Sequence, residues 1–235
     1  MPVHPLPDSP SSLTRRGFVV ASMIFLAGCG TRKTTTLLPG PIWDDAPPAT
    51  LPPPAAQAVP QSSSSMRIIS RSTWAKGAPV PANMNRMQPA RYITLHHDGM
   101  TPFTDTTSAA TAARLETIRT AHRRRDGGRW GDIGYHYAID PAGRVWAARP
   151  LQYQGAHVKG RNEGNIGVVV LGNYDRQSLN RAQQATIQRA VSMLMDTHSV
   201  PVTRVHTHRE WAPTACPGES MQRFMTSIRR TSLRA

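Results

Sequence analysis

The chain has 235 residues, with 28 lysines and arginines against 14 aspartates and glutamates and a formal net charge of +14. That length holds one domain of ordinary size, alone or with extensions. The charge favours anionic surroundings such as nucleic acid, lipid headgroups or acidic wall polymers, and the export address at the start of the chain sets nucleic acid aside.

The address is SLTRRGFVVASMIFLAGCG, residues 12 to 30. Arg15 and Arg16 form a positive n-region, and an apolar run from Phe18 to Ala27 follows. The run is too short to span a bilayer but suits the h-region of a signal peptide. Residues 1–28 therefore read as that signal. The paired arginines resemble a twin-arginine export signal. Leu26-Ala27-Gly28-Cys29 resembles the lipobox of bacterial lipoproteins, which implies cleavage before Cys29 and a lipid on it. Gly30, where an aspartate would favour the inner membrane, points to the outer membrane, facing the periplasm of a Gram-negative host. With Cys29 acylated, Cys216 has no disulfide partner in the chain. A lone thiol in an oxidising envelope wants a reason, which metal ligation or catalysis would supply.

Residues 29–65 read as the lipidated N-terminus and a linker, rich in proline and serine from residue 39, that cannot bury enough apolar surface to fold. The domain is expected at 66–235. ARYITLHH (90–97) is rich in β-formers and predicts a strand. A helix is predicted over 107–125, with Leu115, Ile118 and His122 at helical spacing and Gly127-Gly128 closing it. GYHYAIDPAGRVWAA predicts two short strands around the turn at Asp140-Pro141-Ala142-Gly143. NIGVVVLGN (165–173) is nearly continuously apolar, as a central strand buried on both faces should be. The next helix starts at Asn180, with Gln183 as its capping pair; Ile187, Ala190, Val191, Leu194 and Met195 form its apolar stripe. VTRVH (202–206) predicts another strand, and the C-terminal end reads as helical. Together these give an α/β domain, a central mixed sheet with helices packed on its faces.

Cys216 has three readings: nucleophile, metal ligand or inert buried thiol. A catalytic zinc site takes three protein ligands, commonly His nitrogen and Cys sulfur, and leaves a fourth position open. His208 and Cys216 can meet, because Pro213 and Pro217-Gly218 let the backbone turn. The third ligand is sought in ITLHHDG, where His96 and His97 end a strand. Side chains alternate across a strand, so one of the pair faces the site and the other points away. The zinc deaminases are excluded, because their H-x-E…P-C-x-x-C pattern is absent.

Five segments in order, IISRSTW, RYITLHHDG, WGDIGYHYAIDPAGRVW, GAHVKGRNEGNIGVVVLGNY and THREWAPTACPG, resemble the zinc-dependent N-acetylmuramoyl-L-alanine amidases, the type shared by phage amidases and peptidoglycan recognition proteins. The resemblance covers nearly all of 66–235. It implies that fold, one zinc ion, and peptidoglycan or muropeptides as partner. It makes His96, His208 and Cys216 the metal ligands and leaves His206 outside the motif as a strand-end residue. Tyr135 matches the family's catalytic tyrosine. Thr214 stands where phage enzymes carry lysine and many relatives threonine, and Thr207 where glycine is common. His157, in GAH, lines the groove in the family; contact with substrate and a structural role stand as equal readings. Trp74 and Trp130 read as core anchors and Asn173 as a loop or strand-end residue.

The chemistry this implies is hydrolysis of the amide between N-acetylmuramic acid and L-alanine. Zinc lowers the pKa of a water and polarises the carbonyl. Tyr135 and Thr214 hydroxyls stabilise the developing oxyanion, or Tyr135 orients the attacking water. Two rival readings stand beside it. One is a cysteine peptidase with Cys216 as nucleophile and His208 as base. The other is a module that binds peptidoglycan without cutting it.

Overall fold

The computed structural model describes residues 66–233. The signal segment, Cys29 and the linker of residues 29–65 lie outside the described residues. The architecture is a six-stranded mixed sheet in the order β1-β4-β3-β5-β2-β6 with three α-helices. Its strands are β1 (Ile68–Ile69), β2 (Tyr92–His97), β3 (Tyr137–Ile139), β4 (Val145–Ala147), β5 (Asn165–Val170) and β6 (Val205–Thr207). The helices are α1 (Ser108–Arg123), α2 (Arg181–His198) and α3 (Glu219–Thr231). Only the β3–β4 pair is antiparallel; every other neighbouring pair is parallel. No helix among the described residues is long and apolar enough to cross a membrane.

The hairpin forms where the turn chemistry predicts it. Gly143 takes a φ of 76°, a region that costs glycine nothing, and its N–H donates to Asp140 O. Asp140 is fully buried; it accepts from Thr111, from the Arg144 side chain and backbone, and from Trp146 Nε1. Asn180 and Gln183 form a reciprocal capping box at the start of α2. Thr107 caps α1, which is therefore shorter by a residue or two at each end than the predicted 107–125.

Two apolar layers sandwich the sheet. Ile93 and Leu95 of β2, with Ile166, Val168 and Val170 of β5, pack against Ile187, Val191 and Leu194 of α2 and Met221 and Met225 of α3. Val169, Ala138 and Trp146 face the other way, onto Leu115 and Ile118 of α1. Each fully buried aliphatic contributes about 1.5–3 kcal/mol relative to an exposed one. β5 is buried along its whole length, as its continuous apolar run predicts. The buried polar side chains on β2 and β5 are Thr94, His96, His97 and Asn165. In the register Thr94 stands opposite Gly167, His96 opposite Val169 and Asn165 opposite Tyr92. Thr94 Oγ1 donates to Asn165 Oδ1 at 2.9 Å and accepts from Trp211 Nε1 at 3.0 Å. A buried sheet tolerates polar groups only when they are partnered, and this row underlies the site described below.

Two expectations are corrected. The segment 202–206 is not one strand: Val202–Arg204 form a 3-10 turn and the strand starts only at Val205. Pro201 leads into the turn, and the Arg204 N–H closes it onto Pro201 O. Trp130 is not a core anchor. It is half-buried, its Nε1 donating to Asp126 and its ring lying under the Arg125 guanidinium at 5.0 Å. Trp74 does sit in the α1-side core, donating from Nε1 to Ala147 O.

Candidate functional site

The strand register explains why two histidines far apart in sequence meet. β2 and β6 are parallel neighbours, with Thr94 opposite His206 and Leu95 opposite Thr207. One step further, His96 and His208 lie side by side at the C-terminal ends of their strands, rings 4.7 Å apart. His206 sits a full two-residue repeat lower, about 7 Å along the strand. Its ring packs on Trp211 at 4.4 Å instead. His97 points to the opposite face, where its Nδ1 accepts from the Tyr174 N–H. His208 opens a 3-10 turn (His208–Glu210) capped reciprocally by Thr207 and Glu210. Thr207 is buried and its hydroxyl donates to Gln222 Oε1, so a side chain here anchors the turn to α3.

Cys216 arrives on the loop between that turn and α3. Arg209 holds the loop, donating to Ala215 O and pairing with Glu219. Gly218 then turns the chain at φ 85°; a Cβ there would lie 2.5 Å from the Tyr174 backbone, so no larger residue fits without displacement. The result places Cys216 Sγ 3.6 Å from His96 Nδ1. One donor atom each from His96, His208 and Cys216 lie within 4.8 Å of one another, a set that could hold a metal ion. His96 is buried, while His208, Cys216, Tyr135 and Thr214 are each partly exposed. The donor set therefore opens to solvent on one side.

Tyr135 packs its ring 5.1 Å from His96 and 5.5 Å from His122. The backbone before it is fixed by the Gly134 N–H, which donates to His122 Nδ1. Thr214 stands beside Cys216, and its Oγ1 accepts the Cys216 N–H at 3.2 Å. That oxygen braces the cysteine loop, while its own proton stays available to donate. His157 does not line an open groove: it is 9% exposed. Its Nδ1 lies 3.0 Å from His96 Nε2 and its Nε2 lies 3.1 Å from Asn165 O. Of the two readings left equal above, a role inside the protein is the one this placement favours. Asn173 is a loop clamp, as expected, donating to Gly99 O and Met100 O.

Burial sets the charge state of the cluster. It lowers the pKa of His96 well below the usual histidine value, with His157 and His208 adding to the effect. It lowers His208 as well, with His97 contributing, and takes His157 to about 3. These imidazoles are neutral at neutral pH and offer lone pairs. Burial also pushes the Cys216 thiol up to about 12. A bound cation inverts that logic and favours the thiolate.

Sequence reasoning did not find the supporting groups Asn165 and Asn162, which contact His157, or His136, whose Nδ1 accepts the Gly167 N–H. One signal was available. Gly167 interrupts an otherwise β-branched strand, and an interior glycine marks the close approach of another group. A Cβ at Gly167 would lie 2.5 Å from the His157 ring.

Comparison with known proteins agrees with this architecture. Residues 86–219 match the family described as N-acetylmuramoyl-L-alanine amidase. The chain is 32% identical over 158 residues to peptidoglycan-recognition protein SC2 of Drosophila melanogaster, covering 66% of this chain and 82% of that protein. It is 27% identical over 148 residues to the N-acetylmuramoyl-L-alanine amidase of Mus musculus, covering 62% of this chain but 27% of that one. Among solved structures, Drosophila PGRP-LB aligns with a TM-score of 0.61 at 23% identity, over 72% of this chain and 96% of that one. That likeness speaks to the fold.

Proposed function

We propose, from the premise that the chain belongs to the N-acetylmuramoyl-L-alanine amidase family, that it hydrolyses the amide between N-acetylmuramic acid and L-alanine in peptidoglycan or its fragments, with one zinc ion held by His96, His208 and Cys216. The observation that carries this reading is the convergence of those three donors at a solvent-open edge of the sheet.

The donor set fits zinc. Two neutral imidazoles and a sulfur are the ligand types zinc takes, and three protein ligands match a catalytic site. Zinc–ligand bonds of about 2.0–2.3 Å in a tetrahedron put neighbouring donors roughly 3.3–3.8 Å apart. His96 Nδ1 and Cys216 Sγ, at 3.6 Å, already have that spacing. When bound, zinc supplies a Lewis acid that polarises the amide carbonyl and lowers the pKa of a water.

The chain's own groups do the rest. Tyr135 presents a phenol at the edge of the donor set and would donate to the oxygen that becomes anionic. Thr214 holds the Cys216 loop through its oxygen and can add a second donor. The buried floor of Thr94, Asn165 and His157 keeps His96 rigid and excludes water from behind it. Partial exposure on the opposite side leaves room for the substrate amide.

Muropeptides incubated with the zinc-loaded full chain are expected to yield free stem peptide and free sugar by mass spectrometry. A chelator should stop the release and added zinc restore it. Intact muropeptide beside stoichiometric zinc would replace hydrolysis by binding alone.

We also propose that the chain is exported and anchored to the envelope by a lipid on Cys29, from the LAGC sequence at residues 26–29. Metabolic labelling with a fatty-acid probe is expected to tag the wild type and not Cys29→Ser. An untagged, freely secreted wild type would overturn the anchor.

A further inference from the structure

We propose that His157 is a positioning residue for His96: it accepts a hydrogen bond from His96 Nε2 and so turns His96 Nδ1 toward Cys216 and His208. The inference rests on the zinc-site reading above and adds a residue to it.

The hydrogen-bond directions follow from one fixed point. Asn165 O is a carbonyl and can only accept. His157 Nε2, 3.1 Å away, must therefore carry the proton. In a neutral imidazole the other nitrogen is then a lone pair, so His157 Nδ1 is an acceptor. It lies 3.0 Å from His96 Nε2, which must in turn be the donor. That leaves the lone pair of His96 on Nδ1, the atom 3.6 Å from Cys216 Sγ. A single backbone carbonyl thus fixes the proton on two rings and aims a third atom at the donor set. Ligating histidines characteristically have their second nitrogen held in this way, and loss of the holder costs about 10–100-fold in metal affinity.

The backbone of His157 is clamped and its ring is closely packed. His157 N–H and Val158 N–H both donate to Asn162 Oδ1 at 2.8 Å. The ring lies against Gly155 and Gly167, where an added Cβ would come within 2.5 Å of its Cδ2 atom. Both glycines therefore clear space for an imidazole. Contact with substrate would need a free nitrogen and an open face, and His157 has neither.

The test is zinc affinity of the full chain by competition with a chromophoric chelator, with thermal unfolding of the zinc-free protein as the control for folding. His157→Phe fills the same space without a nitrogen, and zinc binding is expected to weaken about 10–100-fold. His157→Asn places an amide oxygen at the Nδ1 position and should keep most of the affinity. Gly167→Ala leaves the histidine in place but displaces its ring, and should behave like the Phe variant. Long-range proton–nitrogen NMR of the wild type is expected to show both His157 and His96 protonated on Nε2.

A His157 protonated on Nδ1 would overturn the proposal whatever the variants do. So would His157→Phe binding zinc as tightly as wild type while turning over muropeptide more slowly, since that assigns His157 to the substrate and leaves the amidase reading intact. Tight zinc binding lost in His157→Phe, with no hydrolysis by any form, supports the positioning role and removes the hydrolytic one. A wild type that binds no zinc removes both.

Discussion

Cys216→Ala is expected to lose zinc and hydrolysis together, whereas Cys216→Asp keeps a fraction of each. The zinc reading gives the thiolate one of three protein ligands. Alanine leaves two imidazoles, and the metal's contribution of several kcal/mol to the transition state goes with the ion. At about 1.4 kcal/mol per decade, that loss is on the order of 10³-fold or more in rate. An aspartate oxygen can still ligate zinc, so part of the activity should survive and disappear again on chelation. A cysteine peptidase predicts the opposite, because a carboxylate cannot act as its nucleophile and a chelator should not matter to it. The surroundings of Cys216 also speak against that rival. A nucleophilic thiol needs a lowered pKa from a nearby cation or an effective base. Here burial pushes the thiol up to about 12, and burial lowers the pKa of its histidine neighbours His96 and His208, leaving them uncharged. Measuring bound zinc and peptide release on the same preparations decides between the two. An inactive Cys216→Asp beside a chelator-insensitive wild type would sink the metal reading.

Much of this site is legible in the sequence, for physical reasons that differ by residue. The two central strands declare themselves in different ways: NIGVVV is apolar almost throughout, as a strand covered on both faces must be, and YITLHH is rich in β-formers although three of its six residues are polar. The capping pair Asn180/Gln183 and the turn at 140–143 are local chemistry, and local chemistry survives into the fold. Strand alternation shows that only one of His96 and His97 can face the site, but it does not say which. Resemblance chose His96, and the structure supplies the physical reason: His96 shares its face with Thr94 and stands one register step beyond the Leu95–Thr207 pair, beside His208. The same register separates His208 from His206. What could not be read are groups whose meaning depends on distant chain segments. His157 lies 61 residues from His96 in sequence, and its role follows from a carbonyl on β5 and two glycines. Trp130 was misplaced because a tryptophan in an apolar-rich motif looks like core. In the fold it sits beyond the end of α1, where Asp126 and Arg125 hold it at the surface.

Tyr135→Phe is expected to lower kcat about 10²–10³-fold, the usual effect of removing one donor to a developing oxyanion, with zinc affinity unchanged. The ring would remain where it packs, against His96 and His122, so only the hydroxyl is lost. Burial raises the phenol's pKa above its usual value, and nearby Cys216 and Asp98 raise it further. The group thus stays protonated, and able to donate, across the neutral and mildly alkaline range. Ionisation of Tyr135 should therefore not shape the rate profile at these pH values, and Tyr135→Phe should lower the profile without shifting its limbs. Thr214→Ala provides the contrast. Its oxygen holds the Cys216 N–H, so its loss loosens a ligand loop and should weaken zinc binding as well as slow turnover. An interaction made only in the transition state lowers kcat and kcat/KM equally and leaves KM alone. That pattern in Tyr135→Phe, with full zinc occupancy, would assign the phenol to the oxyanion. A raised KM with kcat preserved would instead make Tyr135 a substrate-binding group and leave the oxyanion to another donor.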